Sequence, residues 1–354
     1  MNVECQTCGK AFELPDDRLP TGKKVSFPCP GCKSKITLDL RLPPASPSSP
    51  ASDAGGSVEP VAGAPSVPDA APADTESELQ RKILRRINDL PPMPRIIAKA
   101  REIMENPRSG FKEIAEVIEA DQAIAAKVLQ VANSAYYGLS GMVASIHQAT
   151  VVLGHKTLEQ LITMVSASSL LGSRLKGYRL GAGTLWQHSL AVALCSRLIA
   201  KDRAPALESD AFSVGLIHDA GKLALDRYLF EQSSQMDQVL QTGVSFLEDE
   251  KLVLGFDHTE LAAGLCTKWN LPESHANAVR FHHDPVSSDG NPLAYIVYIA
   301  NHIARQTGIG GDMGADRREP DPQTLSFLAL DEDDLTAYEQ ATRAAVNQIT
   351  QSMA

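Results

Sequence analysis

The chain has 354 residues and a net charge of −10, with no long block of like sign. That balance argues against a broad basic face for nucleic acid. No apolar run approaches the ~20 residues of a membrane span, and Met1-Asn2-Val3-Glu4-Cys5 opens neither a basic segment nor a leader-like apolar run. The protein is therefore expected in the cytoplasm, where paired cysteines serve as metal ligands more often than as disulfides.

Residues 1–40 hold Cys5-x2-Cys8 and, twenty residues on, Cys29-x2-Cys32. Each pair aims two thiolates at one point, and four thiolates satisfy tetrahedral zinc with no position left open for catalysis. A module this small has too little core to fold alone, and metal ligation supplies the missing stability. The expected structure is a small β-rich zinc ribbon with structural zinc on Cys5, Cys8, Cys29 and Cys32. Lys10, Arg18, Lys23, Lys24, Lys33 and Lys35 make it mildly basic. Its acidic residues and the anionic Zn(Cys)4 centre nearly cancel that charge, so nucleic acid is not the favoured partner.

Residues 41–77 repeat Pro, Ala and Ser without apolar periodicity or an aromatic residue. Such a stretch cannot bury enough surface to offset its ordering entropy, and a disordered linker is expected. From residue 78 the pattern turns helical. Ile114, Val117, Ile118, Ile124, Val128, Leu129 and Ala132 follow the 3.6-residue period, with Asp121 as an N-cap inside the run. Tyr137-Gly138 offers a stop. Ser145-Ile-His-Gln148 and Thr157-Leu-Glu-Gln160 read as capping boxes, and Pro272 and Pro292 as first-turn prolines. The predicted domain is all-α over 78–307, followed by a C-terminal loop and helix at 308–354.

Several helices of that domain carry polar residues at otherwise apolar positions. His188 shares a face with Val192, Cys195 and Ile199. His218-Asp219 interrupts the apolar segment Val-Gly-Leu-Ile, above Ala211 and Gly215. His258 follows a capping Asp257, His282-His283 ends a helix, and Asn301 shares a face with Ala294, Val297 and Ala304. Imidazole and carboxylate together suit Fe, Mn, Zn and similar divalent ions, which can activate water for attack on phosphorus. Lys222, one turn beyond His218, would then meet phosphate charge. Each residue alone also has a plainer reading, as a core histidine, a helix-end cation or a cap.

In order, His188, His218-Asp219 and His282-His283 resemble the metal-ligand pattern of the HD superfamily of phosphohydrolases. The likeness is closer to its HDOD branch. Leu90-Pro91-Pro92-Met93-Pro94 resembles that branch's opening signature. Ile118-Glu119-Ala120-Asp121, Ala132-Asn133-Ser134-Ala135-Tyr136-Tyr137-Gly138, Val152-Leu153-Gly154 and Trp269-x-Leu271-Pro272 are similar to its later landmarks. The resemblance implies an HD-type helical fold, with an N-terminal lobe at 78–175 and an HD-like lobe at 176–307. It also implies a signalling or regulatory role.

The chain departs from the catalytic branches in two places. The last metal-binding Asp of HD enzymes falls on Asn301, which lacks the carboxylate charge. The Gly-Tyr-Pro that follows the last histidine in cyclic-dinucleotide phosphodiesterases is replaced by Asp284-Pro285-Val286, so cyclic di-GMP hydrolysis is not expected. Two readings follow. In one, a non-catalytic signalling module binds a protein partner or a nucleotide, with the ribbon as an accessory contact. In the other, a divalent metal on His188, His218, Asp219, His258, His282, His283 and Asn301 supports hydrolysis of a nucleotide or phosphate ester, with Lys222 on the phosphate. A nucleic-acid regulator acting through the ribbon is the minor alternative. Oligomeric state and signal are left open.

Overall fold

The computed structural model describes residues 2–4, 11–13, 24–28, 35–39, 95–105, 111–234, 236, 246–311 and 319–353. The chain forms two compact units, 1–68 and 69–354. In the first, β1 (Asn2–Glu4) pairs antiparallel with β2 (Ala11–Glu13), and β3 (Lys24–Pro28) with β4 (Lys35–Asp39). Cys5, Cys8, Cys29 and Cys32, the expected linker at 41–77 and the Leu90–Pro94 signature lie outside the described residues.

The second unit is helical, and its one described β-bridge joins Leu175 to Leu180. The elements are α1 (Arg95–Glu105), α2 (Phe111–Glu119), α3 (Gln122–Ala132) and α4 (Ile146–Leu171), then α5 (Thr184–Arg203), α6 (Glu208–Ile217) and α7 (Gly221–Glu231). They continue with α8 (Phe246–Leu254), α9 (His258–Lys268), α10 (Glu273–Arg280), α11 (Pro292–Gln306), α12 (Pro322–Leu328) and α13 (Glu332–Met353). None of the described helices is long and apolar enough to cross a membrane.

Helix α5 is the centre of the domain and packs against α6, α11 and α13. Leu185, Leu190, Val192, Leu194, Cys195 and Ile199 are buried around its whole circumference, as a helix apolar on all faces must be. Helices α1 to α3 pack against α4, and α4 reaches α5 and α6.

Local capping follows the sequence at several points. Asp121 Oδ1 accepts hydrogen bonds from the amides of Ala123 and Ile124, both at 3.1 Å, and so opens α3. Asp121→Ala is expected to destabilise the protein by about 1 kcal/mol, lowering the melting midpoint by roughly 2–4 °C for a domain of this size. An unchanged midpoint in a circular-dichroism melt would remove the cap from the account. Ser145 Oγ accepts from the Gln148 amide at 3.1 Å, while Gln148 Oε1 reaches back to the Ala144 amide at 3.0 Å.

Two expectations need correction. Helix α3 ends at Ala132, five residues ahead of Tyr137-Gly138. There Asn133 leaves the helix and exchanges two hydrogen bonds with the Val143 backbone, at 2.8 and 2.9 Å, which closes the connecting loop. Thr157 does not open a helix. The break in α4 comes earlier, at Gly154, whose φ of 78° and ψ of 167° lie outside the helical region. Gln160 accepts instead from Arg197 Nη1 on α5 at 2.8 Å.

Candidate metal centre

The His-Asp pair sits at the joint between α6 and α7. His218 is the C-cap residue that follows α6, and α7 starts again at Gly221. Two glycines set the approach of the surrounding helices. A Cβ on Gly215 would lie 2.9 Å from the Ala193 backbone, so α6 runs close against α5 and brings His218 toward His188. A Cβ on Gly221 would lie 2.0 Å from the His258 carbonyl oxygen, so the start of α7 abuts the start of α9. Asp257 caps α9 by accepting from the Thr259 and Glu260 amides at 2.8 and 3.0 Å, which places His258 in the first turn. His282 and His283 follow the end of α10, and Asn301 projects from α11.

All the polar residues singled out in the helical domain meet around one carboxylate. Asp219 Oδ1 lies 3.2 Å from His258 Nε2 and 3.8 Å from His282 Nε2. Its Oδ2 lies 3.4 Å from His218 Nε2 and 3.8 Å from His188 Nε2. His283 Nε2 is 3.3 Å from His258 Nε2, and His188 Nε2 is 3.0 Å from Asn301 Oδ1. Exposure is 0% at His188, His218 and His282, 1% at Asp219, and no more than 4% at Lys222, His258 and Asn301. His283 is half-buried. Gly310 helps seal the site. It holds a φ of +83°, and a Cβ there would lie 2.6 Å from His188 Cβ.

Lys222 is drawn into the cluster. Its ammonium donates to Asp219 Oδ2 at 2.7 Å and is buried. It is an internal counter-ion of the cluster. His302, next to Asn301, faces away and contacts Gln306 in an exposed position.

The histidines are oriented from behind. His218 Nδ1 pairs with the Gly215 carbonyl, and His282 Nδ1 with the Val279 carbonyl, both at 2.7 Å. A carbonyl only accepts, so both Nδ1 atoms carry the proton and both Nε2 atoms face inward, that of the buried His282 with its lone pair. Neither Nε2 has a hydrogen-bond partner, although both are buried. Burial, then the charge of neighbouring imidazoles, holds His188, His282 and His283 well below the usual imidazole range. Burial alone would raise the Asp219 carboxyl, but His218 and Lys222 hold it well below the carboxylate range.

Lone pairs converging on a carboxylate repel one another unless a cation lies between them. The donor set of neutral imidazoles and one carboxylate therefore fits a divalent ion. Two groups have ligand atoms lying within 4.8 Å of one another: Asp219, His258, His282 and His283, and His188, His218 and Asp219. A proton is the competing cation. Burial would lower His258, but Glu250 and Asp219 raise it to about 9, and its imidazolium then bridges the two carboxylates.

Glu250 and Tyr178 are site residues that the sequence reading missed. Glu250 is fully buried on α8. Its Oε2 accepts from the His258 amide at 2.8 Å and pairs with His258 Nδ1 at 2.7 Å, and its Oε1 accepts from the Tyr178 hydroxyl at 2.8 Å. A carboxylate behind a ligating histidine fixes the ring and raises its basicity. The available signal was that Glu250 shares a helical face with the buried Val253 and Leu254.

Known proteins share this architecture. The HDOD domain family matches residues 90–285, more than half of the chain, and the match contains every histidine of the cluster but ends before Asn301. An uncharacterised protein of Treponema pallidum is 26% identical over 233 residues. That stretch is 65% of this chain and 45% of the relative, so the chain spans less than half of the relative's length. An HDOD domain protein of unknown function from Geobacter sulfurreducens superposes with a TM-score of 0.66 at 23% identity, covering 78% of this chain and 99% of that one. A Shewanella amazonensis protein, a proposed phosphohydrolase by name, superposes at 0.60 and 23% identity, covering 77% and 98%. At these identities the superpositions bear on the fold alone. With the fold, the joined His-Asp cluster and the family match over more than half its length, the chain is a member of the HDOD domain family.

Proposed function

We propose that the protein is a signal-transduction regulator whose HDOD domain acts by binding, with the His-Asp cluster holding a divalent cation as a buried structural centre. One observation carries this reading. The cluster is closed, with all but one of its side chains at 4% exposure or less. Asp219, the carboxylate that the histidine Nε2 atoms surround, is engaged by Lys222 at 2.7 Å. A catalytic metal site needs a position open to water and substrate. Asn301, where a carboxylate would strengthen a metal site, points its Oδ1 at His188 instead. A bound divalent ion would supply the positive charge that the inward-facing lone pairs require. Asp219, His258, His282 and His283 would hold it, with His188 and His218 on the other side of Asp219. In the same reading Cys5, Cys8, Cys29 and Cys32 hold structural zinc in a contact module for a signalling partner.

The retained histidines and the name of the Shewanella relative favour the second reading, a metal-dependent phosphohydrolase. The test uses the full chain. Metal content is measured by elemental analysis in the wild type, in Cys29→Ser and in His218→Ala/His282→Ala. Phosphomonoesters, phosphodiesters and nucleotides are then assayed with added Mn²⁺ or Fe²⁺. Cys29→Ser is expected to lose zinc and keep the second metal, the histidine variant to do the reverse, and no protein to turn over substrate. Turnover that disappears with His218 and His282 would establish the enzyme in place of the binding module.

A further inference from the structure

A second cavity, separate from the His-Asp cluster, opens where α4 meets α6 and the α9–α10 turn. Large apolar residues at a helix crossing close such gaps. Here small ones meet: Ser166 and Ala167 from α4, Ser209 and Ser213 from α6, and Ala220 beyond it. They leave about 190 Å³. That exceeds the roughly 150 Å³ of an engineered apolar cavity that admits benzene, so a ring with a polar substituent fits.

The walls define the chemistry. Trp269, Leu271, Ile162 and Ile217 give an apolar floor for a flat ring. Glu159 on α4 and Asp210 on α6 are the acidic residues of the lining, and no lysine or arginine is among the described lining residues. Asp210 Oδ1 pairs with His275 Nε2 at 3.1 Å and its side chain stays 47% exposed. Ser166 is 2% exposed, and its Oγ, which can accept from a donor, is buried without a hydrogen-bond partner. Buried polar atoms of this kind are normally satisfied by protein, water or ligand.

We infer that this cavity is a ligand site for a small aromatic molecule bearing an amine, an amidine or comparable N–H donors. The ring lies against Trp269, and the donors meet Glu159 and Asp210. Anions of the same size are excluded by the two carboxylates. Ile217 and Ala220, in the cavity wall, bracket His218 and Asp219 in sequence. An occupant therefore lies against the two residues that flank the His218-Asp219 pair. This inference does not depend on whether the cluster holds metal.

The test titrates full-length protein with benzamidine and, as an anion of matched shape, benzoate. Heat of binding is read on the wild type. Fluorescence is read on Trp186→Phe, which leaves Trp269 as the only tryptophan. Benzamidine is expected to bind saturably with a dissociation constant of about 1 mM or tighter and to change Trp269 emission, while benzoate does neither. Glu159→Gln/Asp210→Asn is expected to weaken benzamidine about 10-fold or more, the worth of hydrogen bonds to a charged group. Ser166→Leu fills the cavity and is expected to abolish binding. The inference is overturned by equal response to both probes, by no saturable heat with benzamidine, or by unchanged affinity in the carboxylate variant. That last variant leaves the packing of the cavity intact and stands even if Ser166→Leu fails to fold.

Discussion

Asp219→Ala is expected to destabilise the domain by about 3–5 kcal/mol, because it leaves the buried Lys222 ammonium without its counter-ion. For a domain of this size the melting midpoint should fall by roughly 10 °C. Lys222 is 3% exposed, and its short bond to Asp219 Oδ2 is the only described ion pair it makes. Single removal of the carboxylate strands a charge in the interior, whereas removal of both charges does not. Asp219→Ala/Lys222→Met should therefore recover much of the loss, since an apolar pair of similar volume replaces a buried ion pair at little net penalty. Urea unfolding of the wild type, both single variants and the double variant gives the coupling between the two residues. Equal stability of Asp219→Ala and the double variant would show that Lys222 does not depend on Asp219.

Glu250→Gln is expected to weaken metal binding by about 10–100-fold, the usual consequence of altering the group behind a ligating histidine. Glutamine keeps the shape of the side chain. Its oxygen still accepts from His258, and its amide nitrogen faces the Tyr178 hydroxyl, whose oxygen accepts in turn. What is lost is the negative charge that orients His258 and raises its basicity. Competition titration with a chromogenic chelator, on protein stripped and reloaded with Mn²⁺ or Zn²⁺, measures the change. Unchanged affinity would remove Glu250 from the metal centre and leave it as a structural acceptor for Tyr178 and the His258 amide.

The two variants also separate the parts of the site. Asp219→Ala reads the electrostatic balance of the cluster, and its stability effect is expected with or without metal. Glu250→Gln reads the cation itself. A protein that follows the first expectation but not the second would have a cluster held together by protons, with His258 as the shared imidazolium. The 3.2 Å from His258 Nε2 to Asp219 Oδ1 and the 2.7 Å from its Nδ1 to Glu250 Oε2 are compatible with that state.

Much of this protein can be read from local order along the chain. The helical period places Ile114, Ile118 and Val128 in the core, and all three are buried. Asp121, Ser145 and Asp257 cap helices because a side chain two or three residues before an amide meets it whatever the rest of the fold does. The polar residues of the HD pattern stand out because each breaks an apolar face. Asn301 and the segment after His283 differ in residue type from the pattern expected of a catalytic branch, and residue type is read directly from the sequence.

Other features depend on which faces meet, and no local pattern encodes that. Glu248, Asp249 and Glu250 are consecutive acids, and only the packing of α8 makes Glu250 the one that grips His258. Lys222 sits one turn from His218 by sequence, but only the packed structure buries its ammonium against Asp219. The helix break falls at Gly154 and not at Thr157, because a glycine admits the φ of 78° that turns the chain there. The cavity beside Trp269 has no signature of its own, being the volume left when small residues from separate helices face one another. The sequence by itself determined the helical class, the caps and the membership of the His-Asp cluster, since these follow from residue type and short spacing. Only the tertiary structure decided that the cluster is closed, what stands behind it and where a separate cavity opens, because burial and long-range pairing are properties of the packed helices.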